Sequence, residues 1–372
     1  MTTQRTRSSS RGALCVLLAA VLGACGGDPL PPVPDGPAVG MQRFNWTDDT
    51  RRNWAGDAPR PVTATVWYPA AAVEQEAILI PQKRPVFIAG YAARNATLAD
   101  SDRPLPVVVI SHGTGGAALQ MMWLGRALAA RGYVAVAVDH HGNTAAEPAY
   151  DARGFRLVWE RITDLSVAID RLAADETFGA RVDTSDVSAV GFSLGGYTVL
   201  GLAGAKTDLD RLQAFCAGPD ADGTCEPQGE YPTAAEDFAK MLEEDPSLAA
   251  NFRNAGADYS DPRVSHVVAI APAIGQAFAP ATLRALDEQF LLIVGNDDRV
   301  APALTNAAYI ESHLSSGRLQ TIEDAGHYVF LSPCTKRGRR YVPAYEDADT
   351  IDRARVHEDV AAAIIEFLGH TD

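Results

Sequence analysis

A serine flanked by glycines stands at the centre of VSAVGFSLGGYTVL, residues 187–200. Ser193 has Gly191 two residues before it and Gly195 two residues after it, with apolar residues on both sides. Each glycine costs a helix about 1 kcal/mol against alanine and lends a strand nothing. Their place makes sense if a strand ends, the chain doubles back at Ser193 and a helix begins. Side chains at 191 and 195 would collide in such a turn, and Gly196 would let the helix approach the sheet. The turn puts the serine in a strained conformation and lifts its hydroxyl above the sheet edge. The chemistry this suits is nucleophilic attack. A hydroxyl is a weak nucleophile near neutral pH, so it needs a base in reach and an acid to orient that base. The five-residue pattern alone is weak in a chain with 31 glycines; a strand before it and a helix after it give it weight.

The histidines after Ser193 are His266, His313, His327, His357 and His370. His266 lies inside an expected strand, and His313, His357 and His370 fall on expected helices or the tail. His327, in EDAGHYVF, follows the last strand in a glycine-containing loop, where an imidazole can reach back over the sheet edge. It is the expected base, and activity should fall on acidification as the imidazole takes up a proton. For the acid, FLLIVGNDDRVAP ends a buried strand at Gly295 and carries Asp297 and Asp298; adjacent residues cannot both face one imidazole. A tetrahedral oxyanion needs fixed N–H donors. Leu194, at the helix start, is one expected donor, and Thr114, in the glycine-rich HGTGG of 112–116, is the other. His112 is expected to brace that loop by hydrogen bonding without transferring protons. A metal site at His140 and His141 is the weaker reading, because adjacent residues at a strand end point apart and no ligand spacing surrounds them. GLAGAKT lacks the glycine before lysine that a phosphate loop requires.

The elements that must position these residues alternate. VTATVWYP (62–69) reads as a half-exposed strand, and PVFIA as a possible short one. LPVVVISHG (105–113), YVAVAVDHHG (133–142), VSAVGF, VSHVVAIAP (264–272), FLLIVG (290–295) and RLQTIE (318–323) are apolar runs of the buried parallel type. Between them, residues 117–131 read as helical, and Val158, Ile162, Leu165, Ile169 and Leu172 mark a long amphipathic helix. A last helix spans 355–368. Strand–helix alternation predicts an α/β fold with a mostly parallel, doubly wound sheet. Residues 206–262 break the alternation and read as a cap or lid inserted over the carboxyl edge of the sheet, the alternative being a surface excursion remote from the site.

Charge and cysteines bound the rest. The net charge is −15, and the one basic cluster after residue 60, TKRGRR at 335–340, is short, so nucleic acid is excluded as a partner. Arg5, Arg7 and Arg11 precede an apolar run, Ala13 to Leu22, too short to span a bilayer. It ends in LGAC, which resembles a bacterial lipobox with Cys25 as the lipidated residue; a plain secretory signal is the alternative. Residues 1–24 are thus expected to be a signal peptide and 25–40 a Gly/Pro-rich tether, leaving 41–372 as the folded domain. Loss of residues 1–24 leaves 29 basic against 47 acidic residues, a net charge of −18, so membrane attachment would rest on acyl chains alone. Cys216 and Cys225 are expected to pair in an oxidising compartment. Cys334 is left over, either free or displacing one of those two.

Taken together, SHGTGG, VAVDHHGNT, GFSLGGYTVL, GNDDRVAP and DAGHYVFL resemble the α/β-hydrolase superfamily, with most likeness to bacterial platelet-activating-factor acetylhydrolase-like and dienelactone-hydrolase-like proteins. The likeness covers most of residues 40–369, including TVWYP and the helix with WERITDL. It implies an α/β-hydrolase fold and serine-dependent hydrolysis of carboxylic esters with no metal or cofactor. Short-chain acyl esters, phospholipid acyl groups and polyesters are all within that class. The nucleophile, acid and base follow in the order Ser193, Asp298, His327. The G-x-x-D-x-x-x-P spacing to Pro302 matches hydrolases of this shape and favours Asp298, with Asp297 as the alternative. Thr114 and Leu194 take the oxyanion positions. Dienelactone hydrolases use a cysteine where this chain has Ser193. Eukaryotic acetylhydrolases carry their acid after the strand that follows the elbow, where this chain reads AIAPAIG without a carboxylate. The expected location is the cell envelope, by a lipid anchor, or outside the cell. The contrasting expectation is a surface lipoprotein that uses the scaffold for binding without turnover.

Overall fold

The computed structural model describes residues 30–341 and 347–369, and all that follows lies in the unit spanning Pro32–Asp372. Cys25 and the signal-like segment, and His370, fall outside the described residues. Ten strands form one sheet: β1 Val39–Arg52, β2 Pro59–Pro69, β3 Glu76–Ile80, β4 Phe87–Arg94, β5 Leu105–Ser111, β6 Val134–Asp139, β7 Val182–Phe192, β8 Val264–Ile270, β9 Gln289–Gly295 and β10 Gly317–Ile322. Their order is β10-β9-β8-β7-β5-β6-β2-β1-β4-β3. From β6 to β10 every neighbouring pair is parallel, whereas β2 joins β6 and β1 joins β2 antiparallel.

The central strands are buried on both faces, which is why they read as unbroken apolar runs. Successive residues serve opposite layers. Val107 and Val109 pack in one apolar cluster with Ile162, Leu165 and Ile169 of the helix Glu160–Ala173 and with the helix Leu194–Leu202. Val108 and Ile110 pack in the other with the helices Met122–Ala129 and Arg353–Leu368. The first of these latter two helices is preceded by a 3-10 turn, Ala118–Met121, so the segment expected as one helix over 117–131 starts tighter and ends earlier.

Two strands go beyond the sequence expectation. β1 begins at Val39, inside the last two residues of the segment expected to be tether, and runs for 14 residues beside β2. β3 pairs antiparallel with β4 at the sheet edge. Apart from a bridge between Thr207 and Phe278, residues 206–262 contain only helical elements: helices Leu209–Cys216 and Ala234–Glu244 and 3-10 turns at Gly223–Cys225 and Pro246–Asn254. Among the described residues no helix is long and apolar enough to cross a membrane.

Candidate active site

β7 ends at Phe192 and the helix Leu194–Leu202 begins two residues later, so Ser193 alone makes the turn. Its φ of 56° and ψ of −120° lie where a residue with a Cβ is strained, by about 1–3 kcal/mol. The backbone around it holds the strain. Ser193 N donates to Ile270 O at 2.8 Å, and Ser193 O accepts from Gly196 N at 2.8 Å and Ala273 N at 3.1 Å. The flanking glycines are there for close approach. A Cβ on Gly191 would stand 2.0 Å from Gly195 O, and one on Gly195 would stand 2.0 Å from Ser111 O. No side chain fits at either position.

His327 opens a short 3-10 turn after β10, and Asp298 lies in the loop after β9. Their loops meet because Gly295 lets Ala325 pass: a Cβ there would stand 2.0 Å from Ala325 O. His327 Nε2 lies 2.9 Å from Ser193 Oγ, and His327 Nδ1 lies 2.7 Å from Asp298 Oδ2. The carboxylate is itself aimed, because Asp298 Oδ1 accepts from Val300 N at 2.9 Å and Ala301 N at 2.8 Å. Ser193, Asp298 and His327 are all buried. Asp297 points outward, exposed and paired with Arg299. Three groups 134 and 29 residues apart in the chain therefore form one hydrogen-bonded line. The other histidines go elsewhere. His266 sits edge-on to Phe367, His313 bonds Tyr309 O, and His357 stacks on Trp123 with Nε2 2.8 Å from Val329 O.

The loop His112–Gly116 packs against the serine: a Cβ on Gly113 would stand 3.0 Å from Ser193 Cβ. Within it, Gly115 N donates to Asn143 Oδ1 and Gly116 N to Gly113 O. Among the described residues the Thr114 amide donates to none, and Leu194, as the first residue of its helix, has no intrahelical acceptor. Both residues line the cavity that opens on Ser193. His112 has both ring nitrogens occupied, Nδ1 donating to Gly113 O at 2.7 Å and Nε2 accepting from His140 N at 3.1 Å. Burial, with the Arg161 charge, holds its imidazole well below the ordinary range, so it stays neutral.

Beneath this loop lies a buried polar network that joins residues of SHGTGG, VAVDHHGNT and WERITDL. Arg161 donates to His112 O and to Ser111 Oγ. Ser111 Oγ lies 2.9 Å from His140 Nε2, and His140 Nδ1 lies 3.1 Å from Asp164 Oδ2. Asp164 also receives Arg60 at 2.7 Å and 3.0 Å and Arg51 at 2.6 Å. Burial opposes the charge of Asp164, but Arg60, Arg51 and the His140 hydrogen bond outweigh it and hold the carboxyl well below the carboxylate range. Burial and Arg161 push the His140 imidazole down to about 3, and burial pushes the Arg161 guanidinium down to about 9. Arg161 Nε and Nη1 are buried without partners among the described residues. One signal was available: Arg161 and Asp164 interrupt an otherwise apolar helix face, and charges there need partners. His141, adjacent to His140, points the other way to Glu147 and Trp54.

A cavity of about 1140 Å³ opens on Ser193, Leu194 and Thr114. Much of its wall comes from residues 206–262, including Leu209, Leu212, Tyr231 and Phe252, so the inserted segment stands over the serine. Phe155 and Val158 close another side. Cys216 and Cys225 are disulfide-bonded within the segment, while Cys334 is a half-buried thiol that burial pushes up to about 11. A second, small pocket of about 20 Å³ lies between the Thr114 loop and His327, bounded by Glu230 of the inserted segment and by Tyr328. Among the described residues no group of three or more His, Cys, Asp or Glu is placed to hold a metal ion.

A parallel sheet, a strained serine between strand and helix, and an imidazole and carboxylate on the loops after later strands define an α/β hydrolase. The chain belongs to the alpha/beta hydrolase family, whose model matches residues 107–336, from β5 to the segment after His327. It is similar to a solved ferulic acid esterase from Streptomyces cinnamoneus, 19% identical over 90% of each chain, with a TM-score of 0.60. At that identity the likeness speaks to the fold alone. No curated protein matches the chain.

Proposed function

We propose that the protein is a serine hydrolase of carboxylic esters that works through an acyl-enzyme. The observation that carries this reading is the Ser193–His327–Asp298 line, with contacts of 2.9 Å and 2.7 Å and the carboxylate fixed from behind by two amides. His327 Nε2 takes the Ser193 proton as Oγ attacks the ester carbon. Asp298 holds Nδ1–H and stabilises the imidazolium. The Thr114 and Leu194 amides meet the oxyanion, a type of contact whose loss costs about 3–4 kcal/mol. Collapse of the intermediate sends the His327 proton to the departing alcohol, and water then releases the acid. The structural neighbour is an esterase by its description, which agrees with this reaction class. The motifs HGTGG, DHHGNT and GHYVFL support a place near the bacterial platelet-activating-factor acetylhydrolase-like and dienelactone-hydrolase-like branch.

A fluorophosphonate probe tests the reading. It should label wild-type protein at Ser193, and Ser193→Ala should abolish labelling. A folded wild type that is inert to the probe and to p-nitrophenyl acetate overturns it in favour of a binding scaffold. The sequence before residue 30 further supports export and lipid anchoring at Cys25. Labelled palmitate should enter the protein in cells and be lost in Cys25→Ala; equal labelling of both would refute the anchor.

A further inference from the structure

The small pocket beside the serine has a size and a lining that suit one molecule of water. A cavity needs about 10–15 Å³ of probe-occupied volume to hold a water, and that water needs two to four polar partners. The pocket has about 20 Å³, and Ser193, His327, Thr114, Gln228, Glu230 and Tyr328 are among the residues around it. It meets the large cavity at Thr114, Ser193, Gln228 and Val300, so an acyl group or alcohol lying in the large cavity leaves it open. We propose that this pocket seats the water that hydrolyses the acyl-enzyme, and that Glu230 and Tyr328 hold that water against His327. This rests on the serine-hydrolase reading.

Glu230 comes from the inserted segment. It lies over Gly115, where an added Cβ would stand 2.6 Å from Glu230 Cβ. Its neighbour Tyr231 anchors that stretch by packing on Tyr150 and Phe155, with ring centroids 6.1 Å and 5.2 Å away. Glu230 and Tyr328 line the small pocket together, where burial raises the Glu230 carboxyl above its ordinary range; in its carboxylate form Glu230 has lone pairs for more than one donor. Tyr328 directly follows His327, so the base and the water seat move as one turn. In the step itself the water oxygen attacks the acyl carbon and one water proton passes to His327 Nε2. The tetrahedral intermediate then breaks its bond to Ser193 Oγ, which takes back the proton from His327, and the carboxylic acid departs. The remaining proton of the attacking water is the one the Glu230 carboxylate accepts as a hydrogen bond.

The test is pre-steady-state hydrolysis of p-nitrophenyl acetate by the full chain, comparing wild type with Glu230→Gln and Tyr328→Phe. Both variants should acylate at the wild-type rate and deacylate on the order of 10- to 100-fold more slowly. KM should fall in proportion to kcat, with kcat/KM unchanged. Acetyl-enzyme should accumulate and be visible in the intact mass. Equal loss of kcat and kcat/KM in both variants, or unchanged deacylation in either one, overturns the water seat while leaving probe labelling at Ser193 intact. A wild type that neither labels nor turns over overturns the seat and the hydrolase reading together.

Discussion

At the scale of single residues, the adjacent acids Asp297 and Asp298 make a controlled comparison. Asp298 is buried and holds His327, whereas Asp297 is exposed beside Arg299. Asp298→Asn should lower kcat on the order of 10⁴-fold by presenting the wrong hydrogen-bonding group to Nδ1, and Asp297→Asn should stay within about twofold. Comparable losses in both would remove Asp298 from its role. Buried histidines also set the acid limit of stability. Burial holds His140 and His357 down to about 3, so neither binds a proton until the chain unfolds. A group with a depressed histidine pKa stabilises the fold fully above its unfolded value near 6.5, and that contribution is lost as pH falls towards the folded value. Each contributes a slope of about 1.4 kcal/mol per pH unit in that window. His357→Gln keeps a donor for Val329 O but does not titrate. Urea melts between pH 6 and pH 4.5 should show a slope flatter by about one proton, and an unchanged slope would mean that His357 is already charged in the fold.

At the scale of elements, the turn around Ser193 depends on the absence of two side chains. Gly191→Ala and Gly195→Ala each put a Cβ 2.0 Å from a backbone oxygen, with nothing flexible to give way. Each should cost about 3 kcal/mol or more, read as a lowered Tm, whereas Gly132→Ala meets no atom within 4 Å and bears only the strain of its φ of +88°. A Tm for Gly195→Ala within a degree of wild type would contradict this turn geometry. The same turn was the most legible part of the sequence, because its constraint is local: strand, glycine, serine, glycine and helix fall within fourteen residues. The central strands were legible for a related reason, since burial on both faces leaves unbroken apolar runs. β1 was not. It starts with three buried residues, continues through half-buried and exposed ones, and carries Asp48, Asp49, Arg51 and Arg52 near its end, a composition that reads as a loop until its partners are known. Those partners are remote: Arg51 bonds Asp48 nearby but Asp164 over a hundred residues away. For the same reason the seat formed by Glu230 and Tyr328 left no trace in the sequence, where nothing connects two residues nearly a hundred positions apart.

At the scale of the whole molecule, the sheet supplies a fixed edge and the inserted segment supplies the roof. The disulfide Cys216–Cys225 closes a loop of about ten residues in that roof and should contribute about 2–3 kcal/mol to its order through the unfolded chain. Cys216→Ser paired with Cys225→Ser should therefore raise protease sensitivity within residues 206–262 while leaving the sheet intact. Cleavage confined to the sheet connections, or no change, would speak against an independently loosened roof. The cavity walls also predict how substrates sort: with an opening of about 1140 Å³, an acyl-length series should report on wall residues such as Leu212 and Phe252 more than on the serine turn.

The roof does not rest on the sheet alone. A Cβ on Gly223 would stand 2.0 Å from Arg299 O, Asn306 Nδ2 reaches Thr224 Oγ1 at 3.0 Å, and Thr305 Oγ1 donates to Asp222. The stretch that carries Asp298 and the stretch that carries the disulfide are thus one mortised joint. An engineer who transplants the roof from another hydrolase, hoping to import its selectivity, would disturb the loop that carries Asp298 unless residues 297–306 travel with it.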